Sequence, residues 1–173
     1  MPLSVVDALE GATTSLREHV DGRFVPREQL HLTLAFIGPL TRGGYELAAL
    51  PRLIDEVASR HEPVKIELDS WGRFGRPVEA TLWWGIREPN SVDAIATDLR
   101  IALTEVGIPF DSKPFGPHIT VARRVRIDAE ALDSTAHGMR GVAGTSGHIV
   151  LLESMNEGGA LTYRPLHIAA LRT

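Results

Sequence analysis

Residues 30–37 read Leu30-His31-Leu32-Thr33-Leu34-Ala35-Phe36-Ile37, and residues 117–122 read Pro117-His118-Ile119-Thr120-Val121-Ala122. Both are apolar runs interrupted by a histidine and, two places on, by a threonine. Successive side chains of an extended chain alternate faces, so His31 and Thr33 point one way and Leu32 and Leu34 the other. The same alternation sets His118 and Thr120 against Ile119 and Val121. Each run reads as a strand, over residues 29–37 and 117–125, with one apolar face for packing and an opposite face that presents an imidazole beside a hydroxyl. The repetition suggests two similar lobes about a pseudo-two-fold axis within one domain spanning residues 1–173. If the lobes face each other, two imidazoles and two hydroxyls line one cleft.

Outward from these runs, strand and helix patterns interleave, which indicates an α+β or α/β domain. Residues 3–6 read as a short strand and residues 10–19 as a helix. Gly38-Pro39 closes the first histidine strand, and a helix follows that ends near His61, with Pro51 placed in its first turn before Leu53, Ile54, Val57 and Ala58. Residues 64–68 alternate as a half-buried strand, 71–78 form a loop rich in Gly and Arg, and 80–86 form a strand. Asn90 or Ser91 caps a helix with Val92, Ile95, Leu99, Leu103 and Val106 on one face, ended by Gly107. Residues 128–132 suggest one or two helical turns, and 134–147 a mobile loop. Residues 148–152 and 166–171 read as two last strands, with a hairpin turn at Gly158-Gly159.

Bulk properties exclude several classes. The chain has 173 residues, enough for one domain with a sizeable core, and 43% of them are hydrophobic and 23% charged. A formal net charge of -4 supplies no global basic field for nucleic acid, so anion binding has to be local. The absence of cysteine removes disulfides, thiolate nucleophiles and Cys-based metal sites. No apolar run reaches about 18 residues and no signal peptide opens the chain, so no membrane partner and a cytoplasmic location are expected.

The paired motifs fit one kind of chemistry. Attack of water on a phosphodiester needs a base on one side of phosphorus and an acid for the departing oxygen on the other. An imidazole titrates near neutrality, so two can divide those roles, one neutral and one protonated. The hydroxyls of Thr33 and Thr120 can bind non-bridging phosphate oxygens, and Arg123 adds a fixed charge suited to phosphate. No carboxylates are interleaved with these histidines at ligand spacing, so no metal is assigned. A single His-x-Thr arises readily by chance; two copies, each followed by an apolar residue and Ala, do not. Other candidates are weaker: Arg73 and Arg76 for an RNA backbone, and Phe36, Trp83, Trp84 and, best placed, Phe115 for stacking on a base. Since Trp83 and Trp84 face opposite ways on a strand, at least one is core. His19, His61, His137, His148 and His167 share no pattern and read as structural or surface residues.

The two motifs, Leu30–Gly38 and Phe115–Arg123, resemble the signature motifs of the 2H phosphoesterase superfamily, and within it the RNA 2′,3′-cyclic phosphodiesterases, also known as 2′-5′ RNA ligases. The resemblance extends to the Phe74 loop, the Leu82-Trp83-Trp84 strand and the Leu152-Glu153-Ser154 strand. It implies a bilobal α+β fold of two antiparallel sheets with flanking helices around a central groove. It also implies metal-independent opening of a 2′,3′-cyclic phosphate at an RNA end or nucleotide, typically leaving a 2′-phosphate. His31 and His118 would be the catalytic pair, Thr33 and Thr120 the phosphate-binding hydroxyls, and Arg123 the arginine that follows the second motif. No cofactor is implied, and a monomer is expected. Where family members open with a strand of the type Arg-Leu-Phe-Val-Ala, this chain has Pro2-Leu3-Ser4-Val5-Val6, and Val121 stands where leucine is commoner. Two rival readings remain: 2′-5′ ligation or another cyclic nucleotide within the enzyme class, and a non-catalytic nucleotide- or RNA-binding module.

Overall fold

A computed structural model of the chain describes residues 1–40, 44–76, 79–126, 139–158 and 160–172. The expected turns at 128–132, His137, the first part of the 134–147 loop, Val78 and Gly159 lie outside these. The fold is α+β, with helices α1 (Leu3–Arg17), α2 (Tyr45–Ala58) and α3 (Asn90–Glu105) and strands β1 (Arg23–Phe24), β2 (Val64–Phe74), β3 (Ala80–Ile86), β4 (His118–Val125), β5 (Ala143–Ser146), β6 (His148–Glu157) and β7 (Ala160–Ala170). A five-stranded sheet runs β1-β4-β3-β2-β5, and β6 and β7 form a two-stranded sheet. Two antiparallel sheets with helices were expected, and two are found among the described residues.

The chain divides into two compact units, the first of residues 1–33, 65–89 and 117–146, the second of 34–64, 90–116 and 147–173. Both His-x-Thr motifs fall in the first unit, Thr33 ending one of its segments and Pro117 opening another.

In the first unit, α1 replaces the expected strand at residues 3–6. Val5, Val6, Leu9, Ala12 and Leu16 are all buried, a stripe at helical spacing. A valine in a helix costs at most about 0.7 kcal/mol in propensity. Burying its side chain contributes about 1.5–3 kcal/mol, so the continuous stripe decides the local structure. On the sheet, Leu68, Leu82, Trp84, Ile119, Val121, Ala122 and Val125 are each 0% exposed. β2 runs on through Trp71–Phe74, where a loop was expected, and hairpins into β3 across Gly75, whose φ is +84°. β5 lies within the expected 134–147 loop, and its neighbourhood is tied to β2 by the Leu68 N–H, which donates to the Val142 carbonyl at 2.9 Å.

The first histidine run is not a regular strand. Residues Arg27–Gln29 form one 3₁₀ turn, after which only Leu32 makes a β-bridge, antiparallel to Ile119. The run makes no further bridge after Leu32, and the boundary between the two units falls directly after Thr33. Leu32 and Leu34 are half-buried rather than core, and Leu30 is the buried residue of the run.

In the second unit, α2 starts at Tyr45, so Pro51 sits in its interior rather than its first turn. Removing a helical N–H costs about 3 kcal/mol. Burial of Leu50, Leu53, Ile54, Val57 and Ala58 more than offsets it. α3 ends as expected at Gly107 (φ +72°): the Gly107 N–H donates to the Thr104 carbonyl and the Ile108 N–H to that of Leu103. That is a Schellman cap, with Ile108 and Leu103 both buried, and it leaves Val106 exposed rather than on the apolar face. β6 and β7 form one long hairpin, with His148 opposite Ala170 and Glu157 opposite Ala160, where two shorter strands were expected.

Candidate functional site

The Leu32–Ile119 bridge fixes the site's register. With Leu32 opposite Ile119 in antiparallel sense, His31 lies opposite Thr120 and Thr33 opposite His118. These four are the residues on the other face from Leu32 and Ile119, so each histidine sits beside the threonine of the other motif. Directly opposed residues bring their Cβ atoms to about 5 Å, and diagonal ones to about 7–8 Å, which is the relation of His31 to His118. An antiparallel bridge has a local two-fold axis through its centre. The axis at Leu32–Ile119 carries His31 onto His118 and Thr33 onto Thr120, so the sequence repeat is a symmetry of one bridge inside the first unit.

The same edge of β4 explains how the chain reaches this position. β1 pairs with β4 through Arg23–Arg123 and Phe24–Ala122, and the Val25 N–H donates to the Val121 carbonyl at 2.8 Å. The chain then leaves through Pro26 and the 3₁₀ turn, and rejoins the same edge at Leu32. Arg27 in that turn pairs with both Asp7 and Glu10 of α1, and these carboxylates raise its already high pKa further. Gln29, which closes the turn, accepts a hydrogen bond from His31 Nδ1 at 2.7 Å. A carbonyl can only accept, so Nδ1 holds a proton, and Nε2 is the ring nitrogen left to gain or lose one.

His118 is held by rings. The Phe74 ring meets it edge-on, with centroids 5.0 Å apart and planes at 79°, and the Trp83 ring lies 5.8 Å away. Phe74 and Trp83 also touch each other at 5.3 Å. The register puts these on one face: Trp83 is opposite Thr120 on one side and Gly72 on the other, Gly85 is opposite His118, and Phe74 is opposite Thr81. Gly72 is required here. A Cβ at that position would lie 2.2 Å from the Trp83 ring, so only glycine lets the indole lie across β2. Trp84, on the other face, is core as expected of one tryptophan of the pair.

Arg123 reaches the histidine face by a bulge. Simple alternation from His118 would put an odd-numbered residue on the core side. Between Trp83–Thr120 and Leu82–Ala122 the register slips, however, leaving Val121 and Ala122 both buried and turning Arg123 outward. A second slip before Ala80–Val125 coincides with the positive φ of 54° at Arg124.

Of the residues predicted from sequence, His31, Thr33, His118, Thr120, Trp83 and Arg123 come together on this face of the first unit. Phe115 falls in the second unit, where its ring lies under the Arg100 guanidinium at 5.2 Å. Arg73 donates to the Gly75 carbonyl of its own turn at 2.6 Å. His61 and His167 pair with Asp98 and Asp55 at 2.8 and 2.7 Å. Two residues were missed. Phe74 was read as loop, although its position two after Gly72 in a Trp-Gly-Arg-Phe run is a strand spacing. Arg23 carries no local signal and is placed only by pairing.

A face that joins two imidazoles, two hydroxyls and a guanidinium can bind an oxyanion and move two protons. Comparison with known proteins gives the family. The model of the 2′-5′ RNA ligase superfamily matches residues 5–152. A Thermus thermophilus protein named RNA 2′,3′-cyclic phosphodiesterase is 35% identical over 130 residues, which is 72% of this chain and 65% of that protein. The same name belongs to an Aquifex aeolicus protein, 27% identical over 81% of this chain and 82% of its own. A Geobacillus stearothermophilus protein of that name is 33% identical, but the match spans only 32% of its length. Among solved structures, one from Thermus thermophilus superposes with a TM-score of 0.81 at 28% identity, over 99% of this chain and 94% of that one. Escherichia coli LigT in its apo form gives 0.79 at 24% identity, over 100% and 94%, and shares the fold. The chain belongs to the 2′-5′ RNA ligase superfamily.

Proposed function

We propose that the protein is a phosphodiesterase that opens a 2′,3′-cyclic phosphate at an RNA end or nucleotide, leaving a 2′-phosphomonoester, with His31 and His118 as acid and base. The observation that carries this reading is the bridge register, from which His31 and His118 are diagonal neighbours on one face, each opposite the threonine of the other motif. Relatives in the same superfamily named RNA 2′,3′-cyclic phosphodiesterase support the reaction class. LigT, 26% identical in its complex with NADP+, supports a nucleotide ligand.

The step balances with the residues at hand. One neutral imidazole takes a proton from water as its oxygen attacks phosphorus. The P–O3′ bond breaks as the other, protonated imidazole gives its proton to O3′. Thr33 and Thr120 hold the non-bridging oxygens, whose charge grows in the transition state, and Arg123 beyond them adds a fixed positive charge for the substrate's phosphates. Near-symmetry leaves the two roles to be assigned; His118 is placed as the base and His31, whose Nδ1–H is tied to Gln29, as the acid. Both proton transfers are supplied by side chains, so the reaction needs no metal.

The test is incubation with a 2′,3′-cyclic nucleotide, and with a short RNA ending in a cyclic phosphate, in the presence of a chelator. Appearance of the 2′-phosphomonoester is expected on at least one of them. No hydrolysis of either would remove the reading, and hydrolysis abolished by the chelator alone would remove its metal-free part. Joining of ends, the activity in the superfamily's name, needs a 5′-hydroxyl in place of water to attack the cyclic phosphate as the P–O3′ bond breaks, and would appear as 2′-5′-ligated product at high end concentration.

A further inference from the structure

On the histidine face of β4 the next outward residue after Thr120 is Arg123, and directly opposite it on β1 is Arg23. Opposed residues of an antiparallel pair share a face, and Phe24 confirms the sense: it sits opposite buried Ala122, with the Arg17 guanidinium of α1 4.8 Å from its ring. Arg23 therefore stands on the face of His31 and Thr120. Both arginines are exposed, and among the described residues neither guanidinium has a hydrogen bond or ion pair. Like charges directly opposed across a strand pair are destabilising. In a chain of net charge -4 with more acidic than basic residues, such a pair lacks a structural reason. An anion between the two would turn the repulsion into two charge-assisted contacts.

We propose that Arg23 and Arg123 form a second phosphate subsite, which holds the phosphodiester on the 5′ side of the nucleotide being opened and makes short RNA ends better substrates than mononucleotides. The inference rests on the reading of the site as a cyclic phosphodiesterase. The subsite lies one two-residue step from Thr120, about 7 Å along the strand and slightly more with the bulge, so the adjoining phosphate of the same RNA strand is the natural occupant.

Two measurements test it. The first compares kcat/KM for a cyclic mononucleotide and for a dinucleotide ending in the same cyclic phosphate, in wild type, Arg23→Ala and Arg60→Ala, the last an exposed arginine of the second unit. The second measures binding of the corresponding 2′-phosphorylated products by calorimetry, which needs no turnover. Wild type should favour the dinucleotide. Arg23→Ala should cut that preference about tenfold, in line with loss of one charged hydrogen bond, and flatten the salt dependence of dinucleotide binding by about 0.7 in log–log slope. Arg60→Ala should preserve both. Equal losses on the two ligands in Arg23→Ala, or no dinucleotide preference in wild type, would overturn the subsite. Absent turnover with the binding contrast intact would instead sink the hydrolase reading and leave the subsite standing.

Discussion

At the scale of single residues, the site depends on small things that fix large side chains. Gly72 is the clearest. Its missing Cβ is the space in which the Trp83 ring lies, and Trp83 in turn contacts the ring of His118. Gly72→Ala forces the indole aside at a cost of about 1–3 kcal/mol. The melting temperature should drop by a few degrees, since about 1 kcal/mol shifts a chain of this size by roughly 2–4 °C. Turnover should fall more steeply than substrate binding, because the displaced group positions His118 rather than the phosphate. An unchanged melting temperature and rate in Gly72→Ala would show that the indole is free to move. The histidine pair was legible in the sequence because chemistry-bearing residues recur with their spacing intact. Phe74 and Arg23 were not, because a stacking ring and an opposed arginine are defined by cross-strand register, which no local pattern encodes.

At the scale of elements, β4 organises the site. Its inner face, Ile119, Val121, Ala122 and Val125, is fully buried, and its outer edge is met twice by the N-terminal segment, at β1 and at Leu32. Ile119→Ala should therefore cost about 2–5 kcal/mol, and chemical denaturation would measure it. A cost below about 1 kcal/mol would mean that β4 is not central to the core. Alternation along this strand was readable as far as Val121; the bulge that follows was not, and it is what brings Arg123 to the histidine face. At the chain's start, the apolar pattern at residues 3–6 suited either period, and only the buried stripe continuing to Leu16 makes it a helix.

The segment before β4 has its own pH signature. The Asp111 carboxyl is held below its usual range by the Lys113 backbone N–H first and by the Lys113 ammonium second, and the Asp111 N–H donates to the Phe36 carbonyl at 2.8 Å. A depressed carboxylate contributes stability above its unfolded pKa and loses it as pH falls through the folded one. The Lys113 amide should therefore keep its hydrogen-exchange protection down to about pH 4 and lose it only below. Asp111→Asn should remove that acid transition. Loss of protection already between about pH 5 and 7 would contradict the assignment.

At the scale of the whole molecule, interleaved strand and helix periods indicate an α+β or α/β class and the resemblance of the two motifs implies the two antiparallel sheets, whereas the segments that make up each unit are set by long-range pairing. Interleaved segments build each unit, and the first histidine run crosses from one to the other directly after Thr33. Both motifs thus sit in one unit, related by the dyad of a single bridge. That geometry makes the two imidazoles a matched pair, and the central claim is that they divide acid and base between them. The direct measurement is kcat/KM against pH for a 2′,3′-cyclic substrate in chelator, in wild type, His31→Ala and His118→Ala, under conditions where chemistry limits the rate. Wild type should give a bell, because one histidine must be neutral and the other charged. Each variant should lose one limb of it and fall about 10²–10⁴-fold in rate. A monotonic wild-type profile, or either variant within a few-fold of wild type, would contradict the two-histidine mechanism.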